Sequence, residues 1–512
     1  MQVRSVDFPF THLVVIHYHW RPGGVRRVIE LTLPAIFEAA QPHLEKITLI
    51  SGTSACEKIP ECRVEYVSEP AFDYFAVQRE DTDTIARRIR SVLTTSIPQE
   101  EAQKTLIWFH NPALARNIIL NCEVMDFAQT SGASLIMHHH DFWCAGRWAR
   151  WSEMMHCGVD GLERAASATL ANQSRSAHVA INLPDFQTLD GALNGRVFHL
   201  PNPVVRDRLS NEKRLNDVQR WLSDQLQTDD PIWVFPTRFL RRKNLLEAVL
   251  LTRWLSPSAV FVTSSGDASP DEKSYASVLR DVAQTGGWRV SFGLLDQPGA
   301  PSVAELLQVA EVALLTSIQE GFGMGFIEAA AVGTPLIART LPDVMPDLTS
   351  MGFHFPYLYE DVFIDPSLID IPHEIKRQRL ARVNVGAQLP PVLKGQFSPK
   401  ALDFTKPVPF SRLSQRGQLH VLNHPSEEAW SLCRELNPSI ANIEKSLGRL
   451  GPTEWPSHPP QTALRFAREF LKIAHSTANQ PKIDSVNVGR AQAALIEHAF
   501  KPERFYPLQA EL

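Results

Sequence analysis

The sequence has no long hydrophobic run and no excess of basic residues, and each absence excludes a class of protein. The longest apolar stretches, such as 13–16 and 248–251, are far shorter than the roughly 20 residues of a membrane-spanning helix. The amino-terminal segment has no long apolar core and no small-residue cleavage site, so we expect a cytoplasmic protein without a transmembrane segment. Lys and Arg total 51 and Asp and Glu total 56, a net charge of −5 that argues against a general nucleic-acid binder.

Cysteine is also scarce, with six residues in a chain of 512. Cys56 and Cys62 have neither a histidine nor a second cysteine pair at zinc-ligand spacing. We therefore expect reduced, structural thiols. The same expectation covers the remaining cysteines, Cys122, Cys144, Cys157 and Cys433.

Short apolar strands alternate with amphipathic helices, a pattern typical of parallel sheets with crossover helices. The pattern begins with a strand at 12–17 and restarts at 231–236. Between them, the prolines of Leu-Pro-Asn-Pro-Val at 200–204 favour an extended crossing. We predict an α/β fold of two doubly wound, Rossmann-like domains, 1–203 and 204–384, that face one another across a cleft. Ligands of such sheets lie beyond the carboxyl ends of the strands, so the cleft is the expected site.

A third segment, 385–512, extends beyond these two domains. From about 385 to 460 it is Pro-rich and weakly periodic, which indicates either an extended wrap or an ordered insertion. Two helices are predicted at 461–476 and 485–500. Packing against the N-terminal domain, an acceptor pocket and a homo-oligomer contact all remain open for this segment.

The segment 316–339, TSIQEGFGMGFIEAAAVGTPLIAR, carries the strongest chemical signal. A strand ends at Thr316, a glycine-rich loop follows, and a helix begins near Gly325. Free backbone N–H groups at a helix N-terminus suit a diphosphate, and the carboxylates of Glu320 and Glu328 can each accept two hydrogen bonds from a sugar or ribose diol. The alternative is a tight loop with one solvated and one capping glutamate. The donor-binding candidates here are Gly321, Phe322, Gly323, Met324, Gly325 and Glu328.

Two cations and a glycine pair add to this signal. Arg238 follows a strand and Lys243 begins the next helix, so both can stabilise the charge that grows on a departing diphosphate. A solvated basic turn that includes Arg241 and Arg242 is the alternative. Gly23 and Gly24 follow the first strand, where a backbone without Cβ atoms can approach a ligand or simply form a turn.

The triple histidine 138–140 suggests zinc, but successive side chains on a strand point to opposite faces and cannot converge on one ion. We therefore predict no metal there and expect His140, at the strand end, to form hydrogen bonds with a ligand. A packed or surface histidine is the alternative. Trp143 could stack on a sugar or pack with Trp148 and Trp151. The acceptor-side candidates are His17, His19, His110, Asp141 and Trp143.

Five of these segments resemble, in order, the motifs of retaining glycosyltransferases of family 4, which have the two-domain GT-B fold. Glu320 and Glu328 resemble that family's Glu–seven residues–Glu motif. The other four are the first-strand loop at 17–25, the histidine strand at 138–143, the crossing at 201–203 and the Arg-and-Lys pair at 236–244. The resemblance covers residues 12 to about 340. It fails at Thr340–Asp347, where the family has a Gly-rich acidic loop, and beyond about 385.

The resemblance implies transfer of a hexose from a nucleotide-diphosphate sugar, held by the C-terminal domain, to an acceptor presented by the N-terminal domain. Glu328 would bind the ribose, Glu320 and His140 the sugar, and Arg238 and Lys243 the diphosphate, with no metal and no cofactor. UDP-glucose and GDP-mannose are the first guesses for the donor, and a soluble sugar, sugar acid or glycan for the acceptor. A GT-B epimerase, a phosphorylase and a catalytically degenerate nucleotide-sugar-binding scaffold are the alternatives.

Overall fold

The computed structural model describes residues 8–54, 59, 62–206, 208–266, 272–457 and 461–510. Contacts within the chain divide it into two compact units. The first unit comprises Met1–Val204, Gln388–Phe397 and Pro460–Lys501, and the second comprises Val205–Ala387, Ser398–Pro459 and Pro502–Leu512. Residues of the predicted third segment thus occur in both units. The predicted domain boundaries and the cleft stay predictions.

The first unit is built on a seven-stranded parallel sheet with the order β3-β2-β1-β4-β5-β6-β7. The order reverses between β1 and β4, and ligands of doubly wound sheets bind at such a switch point. The strands are β1 (His12–Ile16), β2 (Lys46–Ser51), β3 (Val64–Ser68), β4 (Thr105–His110), β5 (Ser134–His139), β6 (Ser176–Ala180) and β7 (Val197–His199).

The second unit repeats this topology in a six-stranded parallel sheet with the order β10-β9-β8-β11-β12-β13, whose switch point lies between β8 and β11. A short antiparallel pair, β14 and β15, lies apart from it. The fold prediction of two Rossmann-like α/β units is confirmed. The strands are β8 (Ile232–Phe235), β9 (Val260–Thr263), β10 (Val290–Ser291), β11 (Val312–Leu315), β12 (Leu336–Arg339), β13 (Tyr357–Tyr359), β14 (Phe363–Ile364) and β15 (Val408–Pro409).

Helices cover both faces of the first parallel sheet, as its apolar strands require. None of the described helices is both long and apolar enough to cross a membrane. In chain order the helices are α1 (Gly24–Ala39), α2 (Thr82–Ser96), α3 (Ile118–Ser131), α4 (Arg150–His156), α5 (Leu162–Thr169), α6 (Leu183–Leu193), α7 (Glu212–Leu226), α8 (Leu245–Leu255), α9 (Lys273–Thr285), α10 (Val303–Val309), α11 (Met324–Val332), α12 (Met345–Ser350), α13 (Ile371–Gln388), α14 (Gln415–Leu422), α15 (Ser426–Cys433), α16 (Pro438–Ser446), α17 (Ala463–Thr477), α18 (Ser485–Ala499) and α19 (Pro507–Ala510).

Helix α17 is distant from the first sheet in sequence but packs against it beside α1. It begins after Thr462, whose side-chain oxygen accepts the Arg465 N–H at 3.2 Å. Its apolar residues recur at helical spacing, and Phe470 lies 4.6 Å from Trp108 of β4, measured between ring centres. One face of the first sheet is therefore completed by a helix from the far end of the chain.

Five of the six cysteines lie in the described residues, and all five are free thiols. Cys144 and Cys433 are buried, and burial raises the pKa of both thiols. These two residues therefore behave as small apolar side chains. Cys56, the sixth, lies outside the described residues.

Candidate functional site

A glycine-capped helix follows β11 at the switch point of the second unit. Gly323 precedes α11 with φ 86°, a left-handed conformation that favours glycine. A Cβ atom on Gly323 would lie 2.4 Å from Cγ1 of Val344, and one on Gly325 would lie 2.8 Å from Cδ2 of Leu315. Gly323 therefore requires glycine, whereas a side chain at Gly325 would displace the end of the Leu315 side chain. A glycine cap offers no side-chain oxygen to the first-turn N–H groups, which leaves this helix end suited to an anion.

Glu320, in the loop before α11, is held between two cations. Nζ of Lys243 pairs with one carboxylate oxygen, and Nη1 of Arg242 lies 2.8 Å from the other. The Ser317 hydroxyl also donates to Glu320, at 2.6 Å. Burial on its own raises the pKa of Glu320, but the two cations and these hydrogen bonds outweigh it and lower the pKa to about 2. Glu320 is therefore an ionised hydrogen-bond acceptor at neutral pH.

Lys243 is itself largely enclosed, with 15% of its side chain exposed. Burial lowers its pKa, whereas Glu320 and, more weakly, Glu328 oppose that change. Glu328 is half-buried on α11, and its charge raises the pKa of the Lys243 ammonium weakly. The structure thus brings together Lys243, Glu320, Glu328 and the glycine loop.

Other residues of this predicted site have different surroundings. Arg238 is exposed on the loop after β8, and Gly321 and Met324 are half-buried. Phe322 is 4% exposed, so its ring belongs to the core and only its backbone can meet a ligand.

Arg242 contacts this site, although the sequence candidates do not include it and a solvated basic turn is the alternative given for its run. Its guanidinium contacts Glu320 and also donates to the Gln319 carbonyl at 3.0 Å, whereas Arg241 pairs with Glu272 at 2.9 Å. Two neighbouring arginines thus point to different partners. The sequence Arg241-Arg242-Lys243 does not indicate which of the two arginines faces Glu320. The side-chain directions are set by the single helical turn that the three residues form.

In the first unit, three of the predicted histidines gather where β1, β4 and β5 end. Nδ1 of His110 and Nε2 of His140 are 3.1 Å apart, and the His17 ring centre lies 6.4 Å from that of His110. Burial lowers the pKa of His140 to about 4 and those of His17 and His110 well below 6.5. These imidazoles are therefore neutral at physiological pH and serve as hydrogen-bonding groups.

The remaining acceptor-side candidates, His19, Asp141 and Trp143, differ in their contacts and burial. Nε2 of His19 lies 3.1 Å from the Tyr74 hydroxyl, and Asp141 pairs with Arg147 at 2.8 Å. Trp143 is 1% exposed, and its ring stacks on that of Trp151. Trp143 thus packs in the core and offers no face to a ligand. Gly23 and Gly24 are exposed immediately before or at the start of α1.

His110, His138 and His140 place one nitrogen each within 4.8 Å of one another, a group of described residues that could approach a metal ion. The indole N–H of Trp108, however, donates to Nδ1 of His138 at 3.1 Å. An indole can only donate, so neutral His138 carries its proton on Nε2 and has no free lone pair for a metal. His139 points to the other face, where it bonds to His178 at 2.9 Å. These contacts favour hydrogen bonding over metal binding; the absence of a metal stays a prediction.

Comparison with known proteins places this chain beside sugar-transferring enzymes. The family model described as glycosyl transferases group 1 matches residues 221–355. This range includes the Arg241–Lys243 turn and the loop that carries Glu320. The chain is 23% identical over 418 residues to mannosylglucosyl-3-phosphoglycerate synthase of Petrotoga mobilis, covering 77% of this chain and 78% of that protein. It is 34% identical over 122 residues to MMP alpha-(1->4)-mannosyltransferase of Mycolicibacterium hassiacum, covering 23% of this chain and 28% of that protein.

Among solved structures, Anabaena HepE in complex with UDP-glucose aligns with a TM-score of 0.48 and 15% identity, covering 85% of this chain and 100% of HepE. The family model and the two sequence relatives confirm the prediction of a glycosyltransferase enzyme and support the group 1 family.

Proposed function

We propose that this glycosyltransferase moves a hexose from a nucleotide-diphosphate sugar to an acceptor hydroxyl, with retention at the anomeric carbon and without a divalent metal. The observation that carries the proposal is the ionised Glu320 between Lys243 and Arg242, in the loop that leads to the glycine cap of α11. A sugar diphosphate has two parts to be held, an anion and a set of hydroxyls. Cations and a helix N-terminus match the first, and a carboxylate matches the second.

In this proposal the donor diphosphate binds at the start of α11, with Lys243, Arg242 and Arg238 as its cations. As the bond from the anomeric carbon to the phosphate oxygen breaks, negative charge grows on the diphosphate, and fixed cations stabilise that charge. Glu328 binds the ribose hydroxyls, and Glu320 binds hydroxyls of the transferred sugar. The acceptor hydroxyl attacks from the face that the diphosphate leaves and gives its proton to the departing phosphate, so no separate general base is needed.

We propose His140 as a contact of the donor sugar, and His17, His19, His110 and Asp141 as contacts of the acceptor. Neutral imidazoles can donate one hydrogen bond and accept another, which suits sugar hydroxyls. The Petrotoga relative is named for a product that contains mannose, glucose and 3-phosphoglycerate. We propose a soluble sugar, sugar acid or glycan as the acceptor and a GDP-mannose or UDP-glucose donor. We also propose a cytoplasmic enzyme.

The first test is thermal stability against UDP-, GDP- and ADP-sugars with EDTA present. A ligand that binds only the folded state at 100 times its dissociation constant adds about 2.7 kcal/mol of stability, enough to raise the melting temperature measurably. We expect a shift with one nucleotide, independent of metal and lost in Glu328→Ala. No shift with any nucleotide sugar, with or without an acceptor mixture, would refute the proposal.

Product analysis then separates the reaction types. Proton NMR of the glycoside is expected to show the anomeric configuration of the donor, and an inverted product would contradict retention. Donor incubated alone is expected to stay unchanged. An isomerised nucleotide sugar would indicate an epimerase instead, and sugar release that depends on inorganic phosphate would indicate a phosphorylase.

A further inference from the structure

Beside the Lys243 turn lies a buried polar network that the proposed reaction does not use directly. Its centre is Glu247, which lies in the first turn of α8 and is 0% exposed. The Glu247 carboxylate pairs with the guanidinium of Arg339, at the end of β12, and accepts the Tyr359 hydroxyl at 2.7 Å. Arg339 is 3% exposed and also pairs with Asp361 at 3.0 Å. Four polar side chains from three elements and a loop thus meet inside the second unit.

Asn244 connects this network to the candidate site. Its side-chain amide donates to Oε2 of Glu247 at 2.8 Å, and the residue is fully buried. Asn244 directly follows Lys243 and has φ 51°, so it ends the Arg241–Lys243 turn and begins α8 at the same time. A contact that fixes Asn244 therefore also fixes the backbone from which the Lys243 side chain extends.

The opposite side of this turn is held by the β11 loop. The Thr316 hydroxyl lies 3.0 Å from the carbonyl oxygens of both Lys243 and Asn244, and the Ile318 N–H donates to the Arg242 carbonyl at 2.9 Å. Lys243 thus lies in a segment that is bonded on one side to the loop carrying Glu320. On the other side the segment is bonded to Glu247.

We propose that Glu247 is a positioning residue that acts through Asn244 to hold the Lys243 ammonium against Glu320, where the donor diphosphate binds. This inference rests on the proposed function. A buried ion pair contributes little net stability relative to apolar side chains, but it restricts the geometry of the groups bonded to it. The bonds from Arg339 and Tyr359 fix the orientation of the Glu247 carboxylate. The Asn244 amide, which donates to this carboxylate, is thereby held in one orientation.

The experiment that tests this removes the connection and keeps the fold. Asn244→Gly tolerates the positive φ and removes the side-chain amide, although it also gives this backbone position more freedom. Without ligand, we expect the amides of Lys243 and Ile318 to exchange with deuterium at least about tenfold faster, because local opening becomes easier. With donor and acceptor, we expect kcat to fall about tenfold while the donor KM changes less than about threefold, the pattern of a lost transition-state interaction.

Val249→Ala is the matched control, because Val249 is buried on the same helix and is apolar. It is expected to lower the melting temperature while exchange at Lys243 and kcat stay near wild type. A second variant, Glu247→Gln, keeps one hydrogen-bond acceptor for Asn244 and is expected to fall between wild type and Asn244→Gly in both measurements.

Two results would overturn the inference. The first is that Asn244→Gly leaves both exchange and kcat unchanged. The second is that Val249→Ala, with the same melting temperature as Asn244→Gly, loses as much kcat. Either result, obtained with an active wild-type enzyme, leaves the proposed function standing. A wild-type protein that binds no nucleotide sugar refutes the proposed function instead.

Discussion

Glu320 is the single residue on which the proposed chemistry depends most. Its carboxylate touches two cations and one hydroxyl, and its pKa of about 2 keeps it ionised throughout the physiological range. Because the folded-state pKa of Glu320 lies below the unfolded value near 4.5, ionisation of Glu320 stabilises the fold. This stabilisation is complete above about pH 5 and is lost as the pH falls towards 2. Acid loss of activity above pH 5 must therefore come from other groups.

We predict that Glu320→Gln lowers kcat by about 10²–10³-fold, since removing one oriented charge that acts on the transition state costs about 3–4 kcal/mol. Nucleotide affinity, measured by calorimetry with the free nucleoside diphosphate, should change little because the cations remain. Glu272→Gln is the control: it removes a carboxylate from the neighbouring Arg241 and should retain activity. Equal losses in the two variants would contradict a direct role for Glu320.

The residue types of this site could be read from the sequence, but their directions could not. Spacing identified Glu320, Lys243 and Glu328, because a strand, a glycine loop and a helix follow one another with little room for variation. Arg242 was missed because an arginine run is usually solvated, and only the turn geometry selects the one that faces Glu320.

At the scale of elements, α11 depends on its glycine caps. Gly323 and Gly333 begin and end the helix with φ 86° and φ 80°. An added Cβ at Gly333 would meet Pro452 at an ordinary 3.8 Å, whereas the same atom at Gly323 would clash with Val344. A side chain at either position would strain the backbone, but only at Gly323 would it also clash with a neighbour.

We predict that Gly333→Ala destabilises the protein by about 1–2 kcal/mol, the cost of a left-handed non-glycine residue, with donor affinity unchanged. Gly323→Ala should cost more and should also weaken donor binding at least about tenfold, because Val344 must shift the loop beside the helix start. Denaturant unfolding and calorimetric titration of the two variants measure these differences. Equal donor affinities would show that the loop geometry is unimportant for binding.

Strands and helices of the two sheets were predictable because buried parallel strands are continuous apolar runs. The sequence pattern does not predict β3, a half-exposed strand of five residues with a weak apolar signal, or β13, a strand of only three residues. In the Pro-rich segment it left an extended wrap and an ordered insertion open, and the structure has the helices α14, α15 and α16 there. Prolines do not break these helices, because Pro425 and Pro438 stand at helix starts, where no N–H is needed.

At the scale of the whole molecule, the two units share one topology but differ in the histidines that they bury. The described histidines whose pKa values burial lowers are His12, His17, His110, His138, His139, His140 and His178, and all of them lie in the first unit. The sequence predicted the repeated topology. It could not predict this asymmetry, because burial of a histidine depends on helices such as α17 that return from distant positions.

Mild acid is expected to unfold the first unit before the second. A histidine with a folded-state pKa of about 4, such as His140 or His178, binds fewer protons than the unfolded chain between pH 6.5 and pH 4, so stability falls as the pH is lowered through that window. Each costs about 2 kcal/mol between pH 7 and pH 5. Calorimetry should resolve one transition that moves to lower temperature at pH 5, and hydrogen exchange should assign it to peptides of the first unit.

His178→Gln tests the cause of that acid sensitivity, because it removes one titrating group from the first unit. It should flatten the pH dependence of that transition by up to one proton. Parallel loss of both units at pH 5, or an unchanged slope in His178→Gln, would refute histidine burial as the origin.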